Sequence, residues 1–188
     1  MGGATPSHAH AMRVLSAYPY KNRCTSQSRE ETYGEVVDMQ GLLAHLPSPL
    51  TPSSVFVDVG SGHGRLSLYV ALATAARAVV GLEINPCRYD KADKMRREVD
   101  PRVPHLRFMA GDVRTVGLPP DTTHLYMCST CFSKELCHDI VRVAPPSLRC
   151  FISLKELQIP GWVLHGSHTV ECTWSKTSQA HYYVRSSG

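Results

Sequence analysis

Val55-Phe56-Val57-Asp58-Val59-Gly60-Ser61-Gly62-His63-Gly64-Arg65-Leu66 is the stretch that decides the fold of this chain. An apolar run ending in an acid, three alternating glycines and a helical pattern read as strand, tight turn and helix. Gly60 and Gly62 let the backbone turn sharply and approach a ligand, because no Cβ intervenes. The helix expected over 66–76 aims free N–H groups and its positive dipole end at that turn. Such a junction opens a βαβ unit around a buried parallel strand.

Outward from it the alternation continues. Residues 78–82 form a second apolar run that ends in Glu83. A charged helix over 86–99 has proline at its first turn, where the missing N–H costs nothing. A third strand over 106–110 closes on Gly111-Asp112. The fourth, 124–128, leads into a helix over 133–143, and 148–154 is the fifth. Residues 169–174 and 181–185 read as a hairpin. Upstream, apolar residues at helical spacing predict a helix over 35–46, ended by Pro47-Ser48-Pro49. The expectation is an α/β doubly wound, mostly parallel sheet of about seven strands with a C-terminal antiparallel hairpin. Residues 1–30, with Arg13, Lys21, Arg23 and Arg29 among Ser, Thr, Pro, His and Gly, are expected to be a flexible basic arm. Residues 31–188 form the single domain.

Composition narrows the classes. The chain has 188 residues, a net charge of +4 and seven cysteines. An odd number of cysteines scattered through core-like segments argues for buried, reduced thiols over a disulfide framework. Cys128-x-x-Cys131 with Cys137-His138 resembles zinc spacing, but one strand end and one helix should make those side chains diverge, so no metal is expected. No apolar run approaches the ~18 residues that span a bilayer. Residues 1–7 lack an apolar signal core, so a cytoplasmic or nuclear protein without a membrane contact is expected.

The acids make the glycine loop more specific. With Asp58 leading the loop, a phosphate would be repelled and the cationic amino-acid end of S-adenosylmethionine welcomed. Glu83, about twenty residues on at a strand end, is placed for a ribose diol. Charge-assisted hydrogen bonds there are worth roughly 1.5–3 kcal/mol each. Asp112 is placed to accept from an adenine amino group, with Ile84 and Val113 as apolar ring contacts. A nicotinamide enzyme, or a glycine-rich turn in another α/β protein, remains open on these residues. Three acids ending three successive strands favour S-adenosylmethionine.

The segment 55–95 resembles the Dot-type (disruptor of telomeric silencing) histone lysine methyltransferases. The resemblance is carried by the glycine loop, Val80-Gly81-Leu82-Glu83 and Tyr89, with Tyr33-Gly34-Glu35 upstream. Gly111-Asp112, segment 126–132, Trp174 and Tyr182-Tyr183 follow in the family's order, so the likeness runs over residues 32–185. It implies that Thr32, Tyr33 and Glu35 close over the cofactor held by Asp58, Gly60, Ser61, Gly62 and Gly64. It further implies a lysine channel lined by Tyr126, Phe132, Trp174 and Tyr182. Cys128 heads the loop where the family has paired asparagines, and Arg65 stands where it has glutamine. An aromatic channel would desolvate a lysine and favour its neutral, nucleophilic form.

The expected partner is a protein substrate, a histone or other basic protein, with nucleic acid contacted only through the basic arm. No Asn/Asp-Pro-Pro-aromatic tetrad follows the fourth strand, which disfavours amino-group methylation of bases or glutamine. A small-molecule or nucleic-acid acceptor and an inactive cofactor-binding scaffold are the alternatives.

Overall fold

A strand buried on both faces belongs in the middle of a covered sheet. In the computed structural model, which describes residues 7–19 and 34–186, four strands have that character. They are β1 (Val55–Val59), β2 (Ala78–Glu83), β4 (His124–Met127) and β5 (Cys150–Ser153). These four and β3 (Leu106–Ala110) run parallel. Strands β6 (Trp162–Cys172) and β7 (Ser175–Arg185) complete the sheet as an antiparallel hairpin, and the order is β3-β2-β1-β4-β5-β7-β6. The order reverses between β1 and β4, where a doubly wound sheet opens its ligand crevice.

Helices cover both faces. On one side lie α1 (His8–Leu15), α2 (Met39–Ala44), α3 (Arg65–Ala73) and α4 (Pro86–Val99), packed on Phe56, Val79, Phe108 and Ile152. The other side holds α5 (Val113–Val116) and α6 (Lys134–Arg142) over Val57, Val80, Met127 and Phe151.

Three expectations change. The helix expected over 35–46 begins only at Met39, because Asp38 caps it by accepting the Gly41 N–H at 2.8 Å. Val36 instead bridges to Cys172 as extended chain. Within the expected basic arm, His8–Leu15 is a helix that buries Ala11, Val14 and Leu15 against α3, with His8 Nδ1 2.9 Å from the Tyr69 hydroxyl. The hairpin strands have 11 residues each, so Trp162 opens β6. Its ring meets Phe151 edge-on at 5.0 Å, with the Arg185 guanidinium 4.7 Å from its centre.

Register places the site. Gly81, Asp58, Tyr126, Ile152 and Tyr182 form one row across β2, β1, β4, β5 and β7. The missing side chain at Gly81 makes room for its neighbours. A Cβ there would lie 2.4 Å from Phe108 Cδ1 and 2.8 Å from Ser61 Oγ.

Gly64 closes the strand–helix junction with φ +78°, and a Cβ on it would sit 2.4 Å from Phe108 Cζ. Left-handed strain and overpacking add, so Gly64→Ala should lose about 2–5 kcal/mol in urea unfolding. A loss below about 1 kcal/mol would show that the junction can relax.

Candidate active site

Three glycines in the left-handed region shape the loop, at φ 78° for Gly60, 57° for Gly62 and 78° for Gly64. Its amides are tied to the end of β2. Gly60 and Ser61 donate to the Leu82 carbonyl at 2.8 and 2.9 Å. Gly62 donates to Glu83 Oε2 at 2.7 Å, and Asn85 donates to Oε1 at 2.8 Å. Buried Glu83 thus fixes the turn with one lone pair on each oxygen, and the remaining pairs can accept hydroxyl protons.

Asp58 is 2% exposed and accepts the Ser67 hydroxyl at 2.8 Å. Burial pushes its carboxyl up to about 7 against the opposing effect of Ser67, and Glu83 and Glu35 add to the rise. Its neighbour Tyr126 is also buried, and burial raises its phenol well above the ordinary range. The Tyr126 hydroxyl has no nitrogen or oxygen partner and only the Cys128 thiol beside it, and Ser61 Oγ has no partner. Cys128 lies beside Tyr126 with its thiol directed at the Gly34 carbonyl, 3.8 Å away, and burial pushes that thiol up to about 12.

Ser61 and Tyr126 line one small cavity of about 20 Å³ with Asp58, Glu35, Gly34 and Cys128. An orphaned buried hydroxyl costs about 1–3 kcal/mol. Two around one space therefore fit a polar guest, a water or the end of a ligand.

A larger cleft of about 240 Å³ adjoins it through Gly34, Gly60 and Cys128. Glu83, Ile84, Asp112, Val113 and Phe132 line this cleft. Ile84 is 64% exposed there, an apolar surface that a flat ring could cover. Asp112 caps α5 by accepting the Arg114 N–H at 2.9 Å and pairs with its guanidinium at 2.5 Å, which holds its carboxyl below the usual range. Phe132 lies against the loop, and a Cβ on Gly60 would be 2.9 Å from Phe132 Cζ. The loop over 128–132 is pinned from β5. Ser129 and Ser153 hydroxyls meet at 2.7 Å, the Lys155 N–H donates to Ser129 Oγ at 3.0 Å, and Lys155 Nζ donates to the Phe132 carbonyl.

The structure thus gathers Glu35, Asp58, Gly60, Ser61, Glu83, Ile84, Asp112, Val113, Tyr126, Cys128 and Phe132 around two adjoining spaces, while Gly62 and Gly64 shape the loop without lining either. It does not bring Tyr182 there. A residue two strands from Tyr126 is roughly 10 Å away, and the Tyr182 hydroxyl donates to the Leu42 carbonyl at 2.9 Å. Trp174 sits in the β6–β7 turn on the backbone of Gly34, where a Cβ would be 2.0 Å from its Cε3. It holds the Gly34 segment and does not line the cleft. Thr32 and Tyr33 lie outside the described residues.

Sequence reasoning did not assign Asn85, Thr130 and Cys131 to the cleft, which they also line. Asn85 directly precedes Pro86, a helix-cap position that could have signalled it. Lys155, just past β5, also had no expected role at the site, and it holds the Phe132 carbonyl.

Residues 13–116 match the sequence model of a family described as Histone methylation protein DOT1. No curated protein matches the chain in sequence. Similar solved structures include Mycoplasma capricolum TrmK with S-adenosyl-homocysteine, at TM-score 0.60 and 9% identity over 78% of this chain and 66% of that one. A Salinibacter ruber RNA methyltransferase with S-adenosyl-L-homocysteine gives TM-score 0.59 and 18% identity over 80% and 92%. An Aquifex aeolicus SAM-dependent methyltransferase gives 0.60 and 14% over 79% and 90%. The chain therefore spans about two thirds of the M. capricolum protein, and at these identities the likeness is one of fold. Among the described residues no helix is long and apolar enough to cross a membrane.

The buried Asp58 sets a pH dependence. Between its ordinary value of 3.8 and about 7, the folded chain holds one proton more than the unfolded chain. Stability contributed at this site therefore falls as pH rises through that window, by about 1.4 kcal/mol per unit, and is level above it. Relative to wild type without ligand, Asp58→Asn should gain stability from pH 4 to 7 and hold the gain at pH 8, read by urea unfolding. A difference flat over pH 4–7 would show that the carboxylate stays ionised when buried.

Proposed function

Because the chain belongs to the Histone methylation protein DOT1 family and is an S-adenosylmethionine-dependent methyltransferase, we propose that its acceptor is a lysine nitrogen of a histone or another basic protein. The observation that supports this is the composition of the cleft's acceptor end. Cys128, Thr130, Cys131 and Phe132 line it, with no carboxylate or imidazole among them. Thr130 and Cys131 are exposed, so an ammonium there loses hydration only once substrate and cofactor cover it. It then gains no counter-charge from these four residues, which favours its neutral form and frees its lone pair. A dedicated base is then unnecessary, and rate comes from positioning and exclusion of water.

On this reading the cavity of Asp58, Ser61, Tyr126 and Glu35 takes the amino-acid end of the cofactor. Its two hydroxyls without a nitrogen or oxygen partner and its carboxylates suit an ammonium and carboxylate better than a phosphate. Glu83 accepts from the ribose, Ile84 and Val113 flank the adenine, and Asp112 accepts its amino group. Gly60, which lines both spaces, presents no side chain to the ligand, while Gly62 and Gly64 set the backbone of the loop. When bound, S-adenosylmethionine supplies a methyl group on a sulfonium, and the C–S electron pair leaves with sulfur as the new N–C bond forms. The acceptor's proton leaves to bulk water beforehand. Phe132 orients the acceptor's aliphatic stem, held in place through its carbonyl by Lys155.

Incubation with labelled cofactor and, separately, free histones, nucleosomes, transfer RNA and a small-metabolite extract tests this. Label in histone lysines is expected. Phe132→Ala should lower kcat/KM on that substrate about 100-fold through lost positioning, with S-adenosylhomocysteine binding essentially unchanged. Label confined to RNA or to metabolites would overturn the lysine reading.

A further inference from the structure

Arg65 occupies a place that helix electrostatics disfavour. It is the first residue of α3, where the helix dipole is positive and a cation is unfavourable. The side chain is 17% exposed, so solvent does not relieve that repulsion.

Its partners explain the choice. Arg65 Nε pairs with Glu35 Oε2 at 3.0 Å, and the Glu35 side chain is only 10% exposed. Arg65 NH1 donates to the Leu15 carbonyl at 3.1 Å and also to the Tyr18 carbonyl. Leu15 is the last residue of α1, at the negative end of its dipole, and Tyr18 lies three residues beyond it. One guanidinium therefore joins α1, the start of α3 and the Glu35 segment. A planar fork with several fixed donors can do this, whereas a single ammonium cannot.

Each joined element has a separate anchor. Helix α1 buries Ala11, Val14 and Leu15, and meets Tyr69 of α3 through His8. Glu35 is held through its backbone, which donates to Thr173 Oγ1 at 3.1 Å and accepts the Thr173 N–H at 2.9 Å. Its side chain borders the small cavity beside Asp58, Ser61 and Tyr126. Arg65 connects the Glu35 side chain, at the cavity's wall, to the docked helix.

We propose that Arg65 is a positioning residue that couples docking of α1 to placement of the Glu35 side chain beside the cofactor's amino-acid end. The inference rests on the cofactor placement proposed above. By linkage the coupling runs both ways: a docked α1 tightens cofactor binding, and bound cofactor holds α1 down.

Hydrogen exchange of residues 8–15 and calorimetry with S-adenosylhomocysteine test it in the full-length chain. Wild type should show slower exchange in α1 when the ligand is added. In Arg65→Gln the dissociation constant should rise about tenfold, and α1 exchange should no longer respond to ligand. Tyr69→Phe removes the far anchor of α1 without touching the cavity. It should weaken binding in the wild-type background and have no further effect combined with Arg65→Gln, and this pair of measurements stands even if Arg65→Gln is less stable. Unchanged binding in Arg65→Gln, or α1 exchange indifferent to ligand in wild type, would overturn the coupling. Failure of wild type to bind S-adenosylhomocysteine at all would strike the cofactor placement itself, and the coupling with it.

Discussion

The Glu83 carboxylate, at the end of β2, takes the Gly62 N–H 2.7 Å away across the crevice. That bond and its companion to Asn85 turn an acid at a strand end into the fixed point of the loop. With Gly62 held, Gly60 and Gly64 have left-handed conformations on either side, and α3 must start at Arg65. Ser61 is then directed over Gly81, the one position in the cross-sheet row without a side chain. The loop's shape therefore depends less on glycine flexibility than on one buried acceptor that fixes the flexible segment. A carboxylate also suits the task electrostatically, since it meets the loop near the positive end of α3.

Three tyrosines buried in this sheet show where the molecule departs from ordinary packing. Tyr182 gives its hydroxyl proton to the Leu42 carbonyl, and Tyr183 accepts the Leu157 N–H at 2.7 Å. Tyr126, equally buried, has neither. Among the described residues, Tyr126 and Ser61 carry the only buried side-chain polar atoms without a nitrogen or oxygen partner, and both border the same cavity as Asp58. A core that satisfies two phenols and leaves a third unmet beside a protonatable acid has kept polar capacity in reserve. Local violations concentrated at one place are what a functional site looks like in a chain that is otherwise consistent.

Much of this was legible beforehand, for physical reasons that also mark the limits. Apolar runs ending in acids located β1 and β2, since buried parallel strands have no polar face to obscure the pattern. Edge strand β3, with Arg107 exposed, was located by the Gly111-Asp112 that closes it. The glycine loop was legible because three alternating glycines require a special backbone. Tyr182 was misplaced because a resemblance in motif order says nothing of how many strands separate a residue from the crevice. Only the register with Ile152 and Tyr126 supplies that distance. Helix α1 was missed because eight residues carry too little periodicity to stand out, and it is stabilised by tertiary burial on α3. The start of α2 was misjudged because Val36 has a strand partner, Cys172, far away in sequence.

The acceptor loop is where sequence and structure inform each other most. Cys128-Ser129-Thr130 in place of the paired asparagines reads, from sequence alone, as a loss of polar groups at the site of transfer. The structure shows that the loop's geometry does not depend on amides. Ser129 is fully buried and meets Ser153 and the Lys155 N–H, while the Lys155 ammonium holds the Phe132 carbonyl. Every one of these bonds points away from the cleft, into the end of β5. What faces the cleft is then a thiol, a hydroxyl and an aromatic ring. The exchange separates two tasks that amides would combine: backbone positioning passes to buried hydroxyls and an ammonium, and the surface offered to the acceptor becomes less able to hydrogen-bond. On the proposed reading, a nitrogen acceptor meeting that surface would be selected by shape, and discrimination at this end would rest on Phe132 more than on any polar contact.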